Sequence, residues 1–251
     1  MSISERQQTI LNLLDNNHFI TVDELAKITF TSPSSIRRDL TALQNSGLVQ
    51  RTHGGVTLPE PTLGVASFQT RQTRNVAEKR LIAKKASVLL KDGQSILLDG
   101  SSTASFLLPY IAKHRSVTLF TNNISTALKA IELGIHTHCI GGHSVNGSAV
   151  LSGTESYKTV SNLQVDILFF SSQSLDSDGV ISDSTEEENY LRSLMLQAAK
   201  KTVFLCDSAK FHTHSLYTLA RLDDINVAIF DKPFDDKQSS KRDTTCSSEK
   251  P

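Results

Sequence analysis

The 251-residue chain has no tryptophan, only three cysteines and six prolines, and no excess of either charge. Each shortage removes a class of protein. Cys139, Cys206 and Cys246 lie far apart and form no Cys-x-x-Cys pair, which leaves neither a disulfide framework nor a zinc site. No apolar run approaches the roughly 20 residues that cross a bilayer. The polar start, Met1 to Gln8, lacks the apolar centre of a secretion signal. A cytoplasmic protein with no membrane contact is expected. With 26 basic and 26 acidic residues, the chain cannot coat nucleic acid by charge alone. Aromatics make up 6% of it and lie on no basic face, which argues against an RNA-binding or scaffold protein that stacks bases. His136, His138, His143, His212 and His214 lack a cysteine or paired carboxylates at ligand spacing, so no metal site and no cofactor are expected.

The rest is ordinary globular composition, 38% hydrophobic and 21% charged, with room for one small and one medium domain. Residues 1–58 carry three short helical patterns and a Gly-Gly turn. Residues 59–74, opening with Pro59, Pro61 and Gly64, read as a linker. Residues 75–232 alternate strand-like runs with amphipathic helices, and 233–251, nearly without apolar residues after Phe234, read as a disordered tail.

In the first block Ile10, Leu11 and Leu14 give one helix an apolar stripe. Thr21-Val22-Asp23-Glu24 is a capping box that opens a second, short helix. Ser32 caps a third, with Pro33 at its first position, where the missing N–H is not needed. Ile36, Leu40 and Leu43 recur there at i, i+4, i+7 and must face inward. Ser34, Arg38, Thr41 and Asn45 then point away, flanked by Arg37, on a small polar face suited to a major groove. Gly47 ends the helix, and two short strands around Thr52-His53-Gly54-Gly55 form a wing. The block carries five basic and five acidic residues, so any contact with duplex DNA depends on placement: Ser34, Ser35, Arg37, Arg38 and Thr41 on the helix, Arg51, His53 and Gly54 on the wing.

In the second block the strands expected at Ser95–Leu98, Val117–Phe120, Thr137–Ile140, Val165–Phe170, Thr202–Cys206 and Val227–Phe230 have polar or glycine residues just beyond their ends. Such ends line one ligand crevice at the edge of an open, largely parallel sheet. Candidate ligand residues are Asp99, Ser101, Ser102, Thr103, Thr121, Asn122, Gly141, Glu188 and Lys210. Ser101-Ser102-Thr103, followed by a helix running to about Ile111, offers N–H groups, hydroxyls and a dipole to a phosphate. The plainer alternatives are an N-cap for the hydroxyls, a dipole partner for Glu186 to Glu188 and a surface lysine for Lys210.

Asp23-Glu24-Leu25-Ala26, Ser35-Ile36-Arg37-Arg38-Asp39-Leu40 and Arg51-Thr52-His53-Gly54-Gly55-Val56 resemble the signature of the DeoR family of bacterial repressors. Glu78 to Ala83, Asp99 to Thr103, Thr121-Asn122, Gly141-Gly142 and Asp207 to Phe211 resemble that family's sensor domain, so the likeness spans residues 5 to 232. It implies a winged helix-turn-helix domain before a phosphosugar-isomerase-like α/β domain. It also implies a homo-oligomer (dimer or tetramer), a double-stranded operator and a phosphorylated sugar or related metabolite as effector. A repressor of a carbohydrate operon, with no catalytic residues, is expected; a phosphosugar isomerase or deaminase bearing a DNA-binding head is the alternative. One departure stands out. Ser171-Ser172-Gln173-Ser174 occupies a loop that in the family commonly contains glycine.

Overall fold

The computed structural model describes residues 4–17, 19–52, 54–59 and 68–235. The chain divides into two compact units, Met1–Val76 and Ala77–Pro251. His53, residues 60–67 of the stretch read as a linker, and residues 236–251 of the stretch read as a tail lie outside the described residues.

The first unit begins with helices Glu5–Asn16, Val22–Ile28 and Pro33–Asn45. The Thr21 hydroxyl accepts the Glu24 N–H while the Glu24 carboxylate accepts the Thr21 N–H, the reciprocal box its sequence encodes. Ser32 accepts the Ser35 N–H ahead of Pro33. At the far end Gly47 takes the left-handed conformation (φ 69°), and the Leu48 N–H closes on the Leu43 carbonyl at 2.9 Å. Ile10, Leu14, Leu25, Ile36, Leu40, Leu43 and Val56 are buried in one core. A three-stranded antiparallel sheet sets Gly55–Thr57 between Ile20–Thr21 and Gln50–Thr52. A Cβ on Gly55 would lie 2.5 Å from the Phe19 ring and 2.6 Å from the Ile20 carbonyl, so the inner strand needs glycine there. A fourth helix, Phe68–Thr73, falls within the stretch read as a linker.

The second unit is built on six parallel strands in the order Val227–Phe230, Ala199–Cys206, Val165–Phe170, Ser95–Leu98, Thr118–Thr121, His136–Cys139. Their side chains alternate between two cores. Ile96, Leu98, Ile167, Phe169, Val203 and Leu205 face one layer of helices. Leu97, Leu168, Phe170 and Phe204 face Val160, Leu191 and Met195 on the other. From Ser95–Leu98 the chain winds outward to His136–Cys139. It then returns to the other side of Ser95–Leu98 with Val165–Phe170, and these two strands form the topological switch point.

Around the strand ends the structure departs from the sequence reading in two places. The helix expected to run to Ile111 breaks into Ser102–Ser105 and Leu108–Ile111, with Pro109 at the start of the second piece. A single turn has little macrodipole. A second sheet, antiparallel and three-stranded, joins Ser174–Leu175, Val180–Asp183 and Tyr217–Arg221 beyond the strand ends. The Asp178-Gly179 turn connects its first two strands, with Gly179 at φ 77°.

Candidate functional site

On helix Pro33–Asn45 the side chains of Ser34, Arg37, Arg38, Thr41 and Asn45 are exposed. Ser35 is half-buried, its hydroxyl 3.0 Å from that of Ser32. The helix's acid does not share this face: Asp39 is buried and ion-paired with Arg6. Neither Arg37 nor Arg38 has an ion-pair partner among the described residues, and Arg51 and Gly54 are exposed on the wing. Residues 1–58, balanced in formal charge, therefore turn uncompensated guanidinium groups outward from one helix. Such groups are what phosphates and guanine edges bind.

At the switch point, Asp99 follows strand Ser95–Leu98 and is buried. One carboxylate oxygen accepts the Ser101 N–H at 3.1 Å; the other accepts the Ser171 N–H at 3.2 Å and the Arg192 Nε at 3.0 Å. Arg192 projects from helix Glu186–Ala198 with its side chain only 6% exposed, and it also pairs with Asp183 and, at 3.8 Å, with Glu188. Burial alone disfavours the charged form of Arg192, but Asp183, Asp99 and Glu188 outweigh this and raise its pKa. Burial, with Glu188 and Asp99 adding to it against the pull of Arg192, pushes the Asp183 carboxyl up to about 6. Lys210 donates to the Ser171 hydroxyl at 3.0 Å and lies 3.4 Å from Asp207.

Asp99, Ser101, Glu188 and Lys210 thus meet in one network with Ser171, from the loop noted in the sequence, and with Arg192 and Asp183, which sequence reasoning missed. The one available signal was Glu188 and Arg192 at i, i+4 beside the buried Leu191 and Met195. Several hydroxyls are already engaged. Ser101 caps the short helix through the Ala104 N–H, and Thr121 accepts the Asn123 N–H. Asn123 in turn donates to the Gly100 carbonyl and Asn122 to the Leu151 carbonyl. The Thr103 hydroxyl and the Asn122 side-chain carbonyl are buried without a hydrogen-bond partner among the described residues, the condition of groups that await a ligand or water. Ser102, next to Thr103 in sequence, is buried as well. Gly141 is exposed at the end of the outermost strand, two strands from Asp99. Among the described residues no group of His, Cys, Asp and Glu could hold a metal ion, and no helix is long and apolar enough to cross a membrane.

The model of the DeoR-like helix-turn-helix domain matches residues 6–62, and that of the DeoR C-terminal sensor domain matches residues 74–232. The transcriptional regulator GolR of Listeria innocua is 33% identical over 90% of this chain and 90% of its own. The L-fucose operon activator of Haemophilus influenzae is 34% identical over 92% and 93%. The transcriptional repressor GlcR of Bacillus subtilis is 29% identical over 91% and 88%. Among solved structures, ribose 5-phosphate isomerase A of Methanocaldococcus jannaschii is similar at a TM-score of 0.42 and 18% identity, over 55% of each chain.

Proposed function

The chain belongs to the DeoR family of DNA-binding transcription regulators, and we propose that it represses an operon of carbohydrate metabolism under the control of a phosphorylated sugar or related metabolite. The observation that carries the DNA half is the outward Arg37 and Arg38 pair, with Asp39 withdrawn to Arg6. Arg51 and the wing contact the backbone, while Arg38 and Thr41 reach base edges. Two heads on a pseudo-palindromic site supply the affinity that one neutral head lacks, so the working species is a dimer or tetramer.

The effector half rests on the switch-point network. Lys210, with the loop at Ser102, receives the phosphate, and Glu188 and Asp99 receive hydroxyls; the Thr103 and Asn122 oxygens, without a partner among the described residues, complete the lining. The name of one relative, the L-fucose operon activator, supports the carbohydrate assignment, and that of another, a transcriptional repressor, supports repression. Incubating the protein with genomic fragments, then measuring anisotropy on the recovered site with a panel of sugar phosphates, tests both halves. Selective recovery of a site whose affinity one sugar phosphate changes is the expected result. Absence of any selected site, or a response shared by the unphosphorylated sugar, would sink the proposal.

A further inference from the structure

Lys210 stands on a single turn, Ser208–Lys210, that follows strand Ala199–Cys206. The residues just after the last sheet strand, Val227–Phe230, grip this turn before and after the lysine. Before it, the Asp231 carboxylate accepts the Ser208 N–H at 2.7 Å and the Ser208 hydroxyl at 2.8 Å. After it, the Phe234 ring meets Phe211 edge-on at 5.0 Å and stacks on His212 at 5.6 Å. His212 has a left-handed backbone (φ 58°), which a side chain disfavours. Contacts from outside the turn hold it there: the Phe234 ring, and the Ser177 hydroxyl 2.9 Å from its Nδ1. The gripping segment is itself fixed, because Lys85 donates to the Phe230 carbonyl at 2.7 Å and the Asp231 carbonyl at 3.4 Å. Phe234 falls in the stretch read as a disordered tail, yet it is only 8% exposed and also packs on Phe230 at 5.8 Å. Apart from the prolines and Cys246, it is the only apolar side chain after Phe230.

On the reading that Lys210 meets the phosphate, on which this rests, we infer that Asp231 and Phe234 are positioning residues for the effector and act through Lys210. A lysine carries its charge on a long, freely rotating stem. The Ser171 hydroxyl holds the ammonium at 3.0 Å, but a tip is placed only as well as its base. Asp231 and Phe234 supply the base, one through two hydrogen bonds and the other through ring packing, so the two anchors are chemically independent. Their grip keeps the turn in the conformation that binds, and an anion then need not select it from a wider set. A side chain that merely sealed the core would lower stability in any background and would leave anion affinity alone.

Calorimetric titration of the full chain with inorganic phosphate reads the site, and hydrogen exchange over residues 208–213 reads the turn with no ligand present. Phe234→Ala should speed that exchange. If the freed turn is competent about one-fifth of the time, phosphate should bind about five-fold more weakly. Phe234→Tyr keeps the ring and should match the parent. Asp231→Ala removes the other anchor and should act in the same direction, so misfolding of one variant leaves the other decisive. On a Lys210→Ala background neither change should weaken phosphate further, since the group they place is gone. Unchanged affinity in the folded variants, an equal loss with and without Lys210, or loss of fold in both would overturn the inference alone. Phosphate binding that is absent from the parent, or indifferent to Lys210→Ala, would instead overturn the pocket reading beneath it, and the inference with it.

Discussion

Arg192→Met removes the one guanidinium that Asp99 and Asp183 share, in a place where its side chain is only 6% exposed. Methionine fills a similar volume, so the loss is electrostatic rather than steric. Deleting one partner of a buried pair costs about 3–5 kcal/mol, because the charge left behind is uncompensated. For a unit of this size each kcal/mol moves the melting midpoint by about 3 °C, so the sensor transition should fall by roughly 9–15 °C at pH 7.5. The pH dependence is the sharper test. Asp183 already sits up at about 6, chiefly through burial, above the ordinary value near 3.9. The folded state therefore binds this proton more tightly than the unfolded chain does. Stability from the group is full below about pH 4, declines as pH rises toward 6, and is level beyond. Without Arg192 the carboxyl rises further and the decline extends to higher pH. The gap between parent and variant should be smaller at pH 5 than at pH 7.5. Adding Asp183→Leu should recover part of the loss, since an apolar replacement leaves one less charge stranded. Urea titrations at the two pH values read all of this. A variant as stable as the parent at pH 7.5, or an equal loss at both pH values, would refute the reasoning.

Arg38→Ala should weaken operator binding by about 1–3 kcal/mol per head at fixed salt, with the head still folded; unchanged anisotropy would remove it from the interface. Lys210→Ala should raise the effector's dissociation constant at least ten-fold while effector-free DNA binding stays intact, and calorimetry against the responding sugar phosphate checks it. Ser102→Asp should abolish the same binding by placing a carboxylate in the proposed phosphate position; a normal isotherm would put the pocket elsewhere. Ser32→Ala should cost the head about 1 kcal/mol through loss of the Ser35 N–H partner, with operator affinity at saturating stability unaffected.

The head was legible because its signals are local. Thr21 and Glu24 are three residues apart, Ser32 adjoins Pro33, and Ile36, Leu40 and Leu43 announce their face by period alone. The inner sheet strands were legible for a related reason: in a run such as Ile167–Phe170, buried on both faces, apolar side chains follow one another without a break. The antiparallel sheet gave no such signal. Its strands are short and carry Ser174, Ser182 and Asp183, which are buried among hydrogen-bonded polar partners rather than in oil. Arg192 was invisible for the same cause. An arginine on an amphipathic helix defaults to solvent, and Asp99, 93 positions earlier, together with Asp183, brings it inside. Pro109 was visible, but a proline in the first turn of a helix and a proline that splits one look alike until the flanking turns are seen.

The network also bears on the loop where Ser171 and its neighbours stand in place of glycine. Arg192 is consumed by Asp99, Asp183 and Glu188, so it has little positive potential left for an anion. Lys210 is the remaining cation, and the Ser171 hydroxyl holds its ammonium at 3.0 Å beside Asp207. A glycine at this position would leave the ammonium one partner fewer and the crevice one side chain wider. Ser171 therefore fixes Lys210 before any ligand arrives, which lowers the ordering entropy that binding must overcome. On the proposed reading this divides the crevice by chemistry. The phosphate belongs at the Lys210 end, because the carboxylates around Arg192 repel it. Sugar hydroxyls belong at the Asp99 and Glu188 end, where acceptors outnumber donors. A ligand phosphorylated at one end of a polyol chain satisfies both halves, and an inorganic phosphate ion satisfies only one.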